Sequence, residues 1–166
     1  MRQAFYKEVS MTIISVRFRI VMFFVMVFLI ITTTGAFCDE SVFLVTVEEA
    51  AQPSTRAVFE EMNDGPMISI VSPENGAILT GPFRLYIEVE KKEGGAEVLM
   101  DSLKVRYIKM VPIDITNRVK EYIYDTNLDV PNAEFPVGDH RAEIYIEDAE
   151  GNASSRLFHV KVVEAE

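Results

Sequence analysis

Apolar residues are spaced in two different ways along this chain, and the change of spacing divides it. From Ile20 to Ile31 twelve apolar residues follow one another without a break, IVMFFVMVFLII. From Met67 onward they recur at every second position, the period of a strand with one buried face. Ile68 and Ile70 flank Ser69, and Phe83, Leu85, Ile87 and Val89 alternate with Arg84, Tyr86, Glu88 and Glu90. Leu103, Val105 and Tyr107 alternate with Lys104 and Arg106; the apolar positions then shift to Ile108 and Met110, as at a bulge or bend. Ile113, Ile115 and Val119 predict a short strand entering a turn. Asp125 to Gly138, with Pro131 and Pro136, reads as irregular. Ala142, Ile144 and Ile146, then Phe158, Val160 and Val162, restore the alternation on either side of the turn Asp148–Asn152, which predicts an antiparallel hairpin. Turn residues that preset φ or accept positive φ also stand at Ser72–Gly76 and Lys91–Gly95. Short strands with one apolar face each and no long helix predict an all-β antiparallel sandwich.

The unbroken run needs a different account. Arg17 and Arg19 stand just before it and Thr32-Thr33-Thr34-Gly35-Ala36 just after, the layout of a secretory signal. The run is shorter than the ~20 residues of a spanning helix, but extended through the threonines to Phe37 it reaches a marginal span. Residues 1–38 are therefore expected to be a signal peptide or an N-terminal membrane anchor. Cleavage after Ala36 or after Cys38 would place small residues where a signal peptidase needs them, and acylation of Cys38 is disfavoured by the bulky Phe37 before it. Met11 is an alternative start that leaves a compact signal.

Residues 39–65 read as a linker, with a short strand in Ser41–Glu48 and a short helix over Ser54–Met62 capped by Ser54. The sandwich is expected over 66–166. Charge sharpens this division. The first 38 residues hold four bases and one acid; the rest holds 12 bases against 25 acids, a formal −13. Such a surface repels phosphate backbones, which argues against a nucleic-acid partner. With one cysteine, Cys38, and no intramolecular disulfide, the domain must stand on its hydrophobic core.

Ile68-x-Ile70-x-Ser72-Pro73-x-Asn75-Gly76 resembles the opening strand and turn of bacterial immunoglobulin-like domains. Asp114-Ile115-Thr116 fits their middle section. Gly138-x-His140, Ala142/Ile144/Ile146, Asp148-x-x-Gly151-Asn152 and Phe158-x-Val160 resemble their closing hairpin. The resemblance covers about Pro66 to Val163 and implies an immunoglobulin-like β-sandwich with an extracytoplasmic habit; it implies no activity. The chain departs from antibody domains, having neither their cysteine pair nor their core tryptophan.

Catalytic chemistry finds little to stand on. There is no G-x-S-x-G elbow, no phosphate-binding glycine loop and no H-E-x-x-H pair. His159 falls on an outward strand position, and His140 heads a strand where it can bond the adjoining turn. Asp148, Glu150 and Asn152 offer three oxygen-bearing side chains to a calcium ion, but the same residues serve a turn without metal. Asn152-Ala153-Ser154 is a glycosylation sequon, and Tyr86, Tyr107 or Tyr145 could stack on sugars, although cross-strand partners are the commoner role for such tyrosines. No catalytic, cofactor or metal residues are assigned. The expectation is an exported, non-enzymatic binding or structural module of the envelope or extracellular space. Its partner is a protein or a glycan, met at a sheet edge or at the loops Lys91–Glu97, Asp125–Gly138 and Asp148–Asn152. Membrane contact is expected only through residues 20–37 if they are retained. Alternatives are a carbohydrate-binding accessory domain and a membrane-anchored subunit of an envelope complex.

Overall fold

The computed structural model describes residues 41–55 and 59–165, all within the compact unit Asp39–Glu166. The apolar run, its cleavage frames and Cys38 lie outside the described residues. Among the described residues no helix is long and apolar enough to cross a membrane.

Ten strands, β1 (Val42–Phe43), β2 (Met67–Ser72), β3 (Ala77–Thr80), β4 (Phe83–Glu90), β5 (Val98–Tyr107), β6 (Ile113–Asp114), β7 (Ile123–Tyr124), β8 (Asn127–Glu134), β9 (Gly138–Asp148) and β10 (Ala153–Val163), form two sheets. One runs β1-β8-β4-β2 with β7 also on β8; the other runs β3-β10-β9-β5-β6. The two sheets make a β-sandwich. Taken in chain order, β2, β4 and β8 occupy the A, B and E positions of the immunoglobulin fold, and β5, β9 and β10 the C, F and G positions. Alternation places Leu85, Ile87, Val89, Leu128 and Val130 of one sheet against Val105, Ile144, Ile146, Phe158 and Val160 of the other, all buried.

Several sequence expectations change. The sheets are mixed, because β1 runs parallel to β8 and β3 parallel to β10. The second of these arises where the turn after β2 carries the chain across to the other sheet. The stretch Asp125–Gly138 contains β8, which lies between β4 and the paired β1 and β7. Pro131 hid it. The register passes from Phe83↔Ala133 to Leu85↔Val130, so Pro131 falls in a bulge where its missing N–H breaks no ladder bond. Residues 39–65 supply Leu44 and Val45 to the core at 1% and 0% exposure.

That segment is secured by several devices. Val42–Phe43 is strand, but the chain then turns into the one-turn helix α1 (Val47–Ala50), started by a capping box between Thr46 and Glu49. Arg118, in the one-turn helix α2 (Thr116–Val119), grips the Glu49 carboxylate with both terminal nitrogens at 2.7 and 2.6 Å and donates to the Leu44 carbonyl at 2.8 Å. This pair holds the Glu49 carboxyl well below its ordinary 4.5, at about 2, chiefly through the Arg118 hydrogen bonds. The pair therefore contributes stability that is complete above pH 4.5 and is lost as pH falls toward 2. Arg118→Ala should cost about 2 kcal/mol near neutral pH and flatten that acid limb; urea unfolding at pH 7, 4 and 3 measures both.

The expected helix over Ser54–Met62 is not there in its described residues, which are irregular. Instead the described residues on either side of 56–58 lie as a strap along the second sheet. Met110 donates to the Pro53 carbonyl, Met62 and Ser155 exchange hydrogen bonds, and the Glu61 carboxylate meets Arg156 and the Leu157 N–H. These bonds tie Pro53, Glu61 and Met62 to the sheet. They also cover the free edge of β10, which the Asn75 side chain and β3 cover further on. Gly65 ends the strap against the β9–β10 turn so closely that a Cβ there would stand 2.2 Å from the Asn152 carbonyl oxygen.

Candidate functional site

The β9–β10 turn is closed by its own residues. Asp148, itself buried, accepts from the Glu150 and Asn152 N–H groups through one oxygen and from the Asn152 amide through the other, all at 2.9 Å. These bonds lower the carboxyl's pKa, the Asn152 side chain foremost. Gly151 supplies the positive φ of 84°. The same residues that suggested calcium are thus engaged with one another. The sequon is engaged too, because its asparagine amide is held by Asp148 and its serine, Ser154, is buried.

His140 bonds the adjoining turn, as its position suggested, but it is a core residue at 1% exposure. Its Nε2 lies 2.6 Å from the Pro136 carbonyl oxygen and its Nδ1 2.9 Å from the Tyr107 hydroxyl. A carbonyl only accepts, so the proton sits on Nε2 and the tyrosine donates to Nδ1. Burial pushes the imidazole's pKa below its usual 6.5. Folding therefore favours the neutral ring, and stability should fall as pH drops below 6.5, until the folded-state pKa is passed. Replacing His140 by Leu should remove that limb while the more acidic one from Glu49 remains, which denaturant melts between pH 8 and 3 would resolve.

The tyrosines separate. Tyr107 points into the core at 1% exposure and offers no face to a sugar. Tyr86 and Tyr145 face outward on different sheets, so the two cannot share one platform. Arg84 stacks 4.7 Å from the Tyr86 ring centre while forking Asp129 at 2.7 Å through two nitrogens. Lys104 and Arg106 stand 5.6 and 6.0 Å from the Tyr145 ring centre.

The outer face of β5-β9-β10 carries a more concentrated chemistry. The ladders align Arg106, Glu143 and Leu157 in one row, and Arg141 with His159 in the next. The strap crosses these rows. Between it and the loop after β5 lies a cleft of about 320 Å³, lined by Thr55, Phe59, Arg106, Ile108, Lys109, Met110, Pro112, Arg141, Glu143 and Leu157. Arg106 pairs with the Glu143 carboxylate, which is buried. Arg106 Nε is buried without a hydrogen-bond partner. Arg141 donates to the Thr55 carbonyl of the strap. Lys109, also buried, donates to the Ala50 carbonyl at 2.6 Å. Burial and the like charge of Arg141 lower its pKa. Three cations and one carboxylate thus line one cleft of a domain whose formal charge is −13. Alternation along β5 and β9 already turned Arg106 and Arg141 outward. The strap that makes a cleft of them had no sequence signal, because its contacts join residues some 90 positions apart, such as Glu61 with Arg156.

Fold and face together define a β-sandwich whose second sheet is strapped on its outer side, beside a cleft that holds Arg106, Lys109 and Arg141 with Glu143. No family model matches the chain, and no curated protein matches it. Solved structures with a similar chain course include the endo-β-1,4-mannanase of Thermotoga petrophila, 13% identical with a TM-score of 0.42 over 66% of this chain and 21% of that one. CopC of Methylosinus trichosporium OB3b is 12% identical with a TM-score of 0.42, over 61% of this chain and 96% of its own. SGBP-B of the Bacteroides ovatus mixed-linkage glucan utilization locus, solved with a mixed-linkage heptasaccharide, is 15% identical with a TM-score of 0.35, over 62% of this chain and 25% of its own. The chain thus spans about a fifth of the mannanase and a quarter of SGBP-B. Likeness of this degree bears on neither ligand nor activity.

Proposed function

We propose that the chain is an exported, non-enzymatic binding module of the bacterial immunoglobulin-like kind, working in the cell envelope or outside the cell. Its recognition surface is the strapped outer face of β5-β9-β10. The observation that carries this is the cleft itself, where cations and apolar side chains converge on the surface of an otherwise acidic domain. Ligand sites are concave, largely apolar and furnished with a few convergent polar groups, and this one has that composition. Export is supported by the basic flank, the apolar run and the small residues that precede the acidic domain. A binding role is supported by the histidines: His140 is engaged at both ring nitrogens within the core, out of reach of a substrate. His159 has an Asp139 oxygen 3.8 Å away on an open strand surface.

Recovery of the native protein from fractionated cells, with its intact mass and crosslinked neighbours, tests the reading. The expected result is a chain outside the cytoplasm, either shortened to begin near Phe37 or Asp39, or whole and in the membrane fraction. A whole chain found in the soluble cytosol would contradict export. Turnover of an ester, peptide or glycoside substrate by the purified chain would contradict a binding role.

A further inference from the structure

Of the cavities beside this sandwich, the strapped cleft has charge and wall chemistry specific enough to name what it takes. We infer that the cleft binds a carboxylate carried on a small apolar body, with Arg106 and Arg141 taking the carboxylate and Phe59, Ile108, Met110 and Leu157 the apolar part. This rests on the reading of the strapped face as the recognition surface.

Charge comes first. Arg106, Lys109 and Arg141 stand against Glu143 alone among the cleft's lining residues; outside the cleft, Asp114 of β6 lies opposite Arg106 in the ladder and shares its charge. An incoming monoanion is therefore drawn in, whereas the rest of the surface repels it.

The second observation is the unmet donor. A buried N–H without a partner is costly, and Arg106 Nε is such a group among the described residues. Glu143 pairs with another nitrogen of the same guanidinium and leaves Nε without an acceptor. A carboxylate oxygen suits a guanidinium donor in charge and in planar geometry. Arg141, one row further along the sheet, faces the same cleft with one terminal nitrogen on the strap.

The walls decide between anions. Phe59, Ile108, Met110, Pro112 and Leu157 would desolvate a phosphate or sulfate for no return. An apolar body gains from the same walls. At about 320 Å³ the cleft lies at the small end of ligand sites, suited to a short acyl chain or a terminal residue rather than a polymer.

Two sources share this chemistry, a free fatty acid and the C-terminus of a polypeptide ending in an apolar residue. Calorimetric titration of the full-length chain with octanoate, with acetyl-Ala-Leu bearing a free carboxylate, and with the methyl ester of each tests the inference and separates them. The expected result is binding of at least one acid, and little or none of its ester. Affinity should fall roughly tenfold or more in Arg141→Gln. It should also fall in Arg106→Lys, which keeps a cation beside Glu143 but lacks Nε. Thermal melts of both variants would show that they remain folded. Octanoate alone would identify the acyl source and the peptide alone the chain-terminus source. The inference is overturned if neither acid binds, if an ester binds as tightly as its acid, or if folded variants of both arginines keep full affinity. Failure of both acids, with a partner still crosslinking to the strapped face, would discard the ligand chemistry and leave the recognition reading standing.

Discussion

A chain that begins at Pro66 is expected to be less stable than one that begins at Asp39 by about 4 kcal/mol or more, mostly from two core side chains at roughly 1.5–3 kcal/mol each. Those side chains are Leu44 and Val45, buried against the sandwich. The shorter chain also loses the Glu49–Arg118 fork, leaving Arg118 without its carboxylate, and it uncovers the Ser155 and Leu157 N–H groups on the edge of β10. A bare strand edge invites association as well as unfolding. Urea unfolding of residues 39–166 and 66–166, with sedimentation of both, measures the effect. Equal midpoints would show that the segment before Pro66 is an appendage and that the strap is ornamental.

Arg106→Leu should cost about 3 kcal/mol, because it strands the Glu143 carboxylate in a site where that side chain is 6% exposed. Arg106 is itself 40% exposed, but truncating it leaves the buried carboxylate uncompensated, and most of the loss is that desolvation rather than the attraction removed. The double variant Arg106→Leu with Glu143→Leu should therefore recover roughly half of the loss or more, an interaction that denaturant melts of the four chains in the cycle would expose. A loss under about 1 kcal/mol in the single variant would place the pair with ordinary surface bridges instead.

Much of the sandwich is legible in the sequence. The strands with clean alternation, β4, β9 and β10 above all, bury the residues that alternation turns inward, because one-sided burial imposes a period of two. The elements that were hard to read have local reasons. β8 carries Pro131 in its bulge, so the residue that ordinarily argues against a central strand sits where the ladder is already open. β3 is four residues long and leaves Ile78 exposed, which blurs its inward face. The bend expected after Tyr107 is there: β5 ends at Tyr107 and the chain bends through 109–111, while a register shift that the sequence did not signal falls between Leu99 and Lys104.

The candidate site was only half legible. Alternation exposes Arg106 and Arg141, yet nothing in their sequence neighbourhoods brings Phe59 and Thr55 over them. That placement depends on side-chain bonds to distant strands, with Arg141 reaching the Thr55 carbonyl and Arg156 reaching Glu61. The described part of the stretch expected as a short helix capped by Ser54 lies along a sheet instead, tied there by the Thr55 carbonyl and by Met62. The loops singled out for recognition fared differently. Lys91–Glu97 and the Asp148–Asn152 turn support one another through the Ala149 N–H and the Glu97 carbonyl, and most of Asp125–Gly138 is strand.

The central claim is that the strapped face of β5-β9-β10 does the recognising. Its most direct test is a photoreactive side chain placed in the native host at Met110, exposed beside the cleft, and in a second strain at Glu88, on the outer face of the other sheet. Capture of the same partner from position 110 and not from position 88 is the predicted result. Capture from position 88 alone, or equally from both, would contradict it.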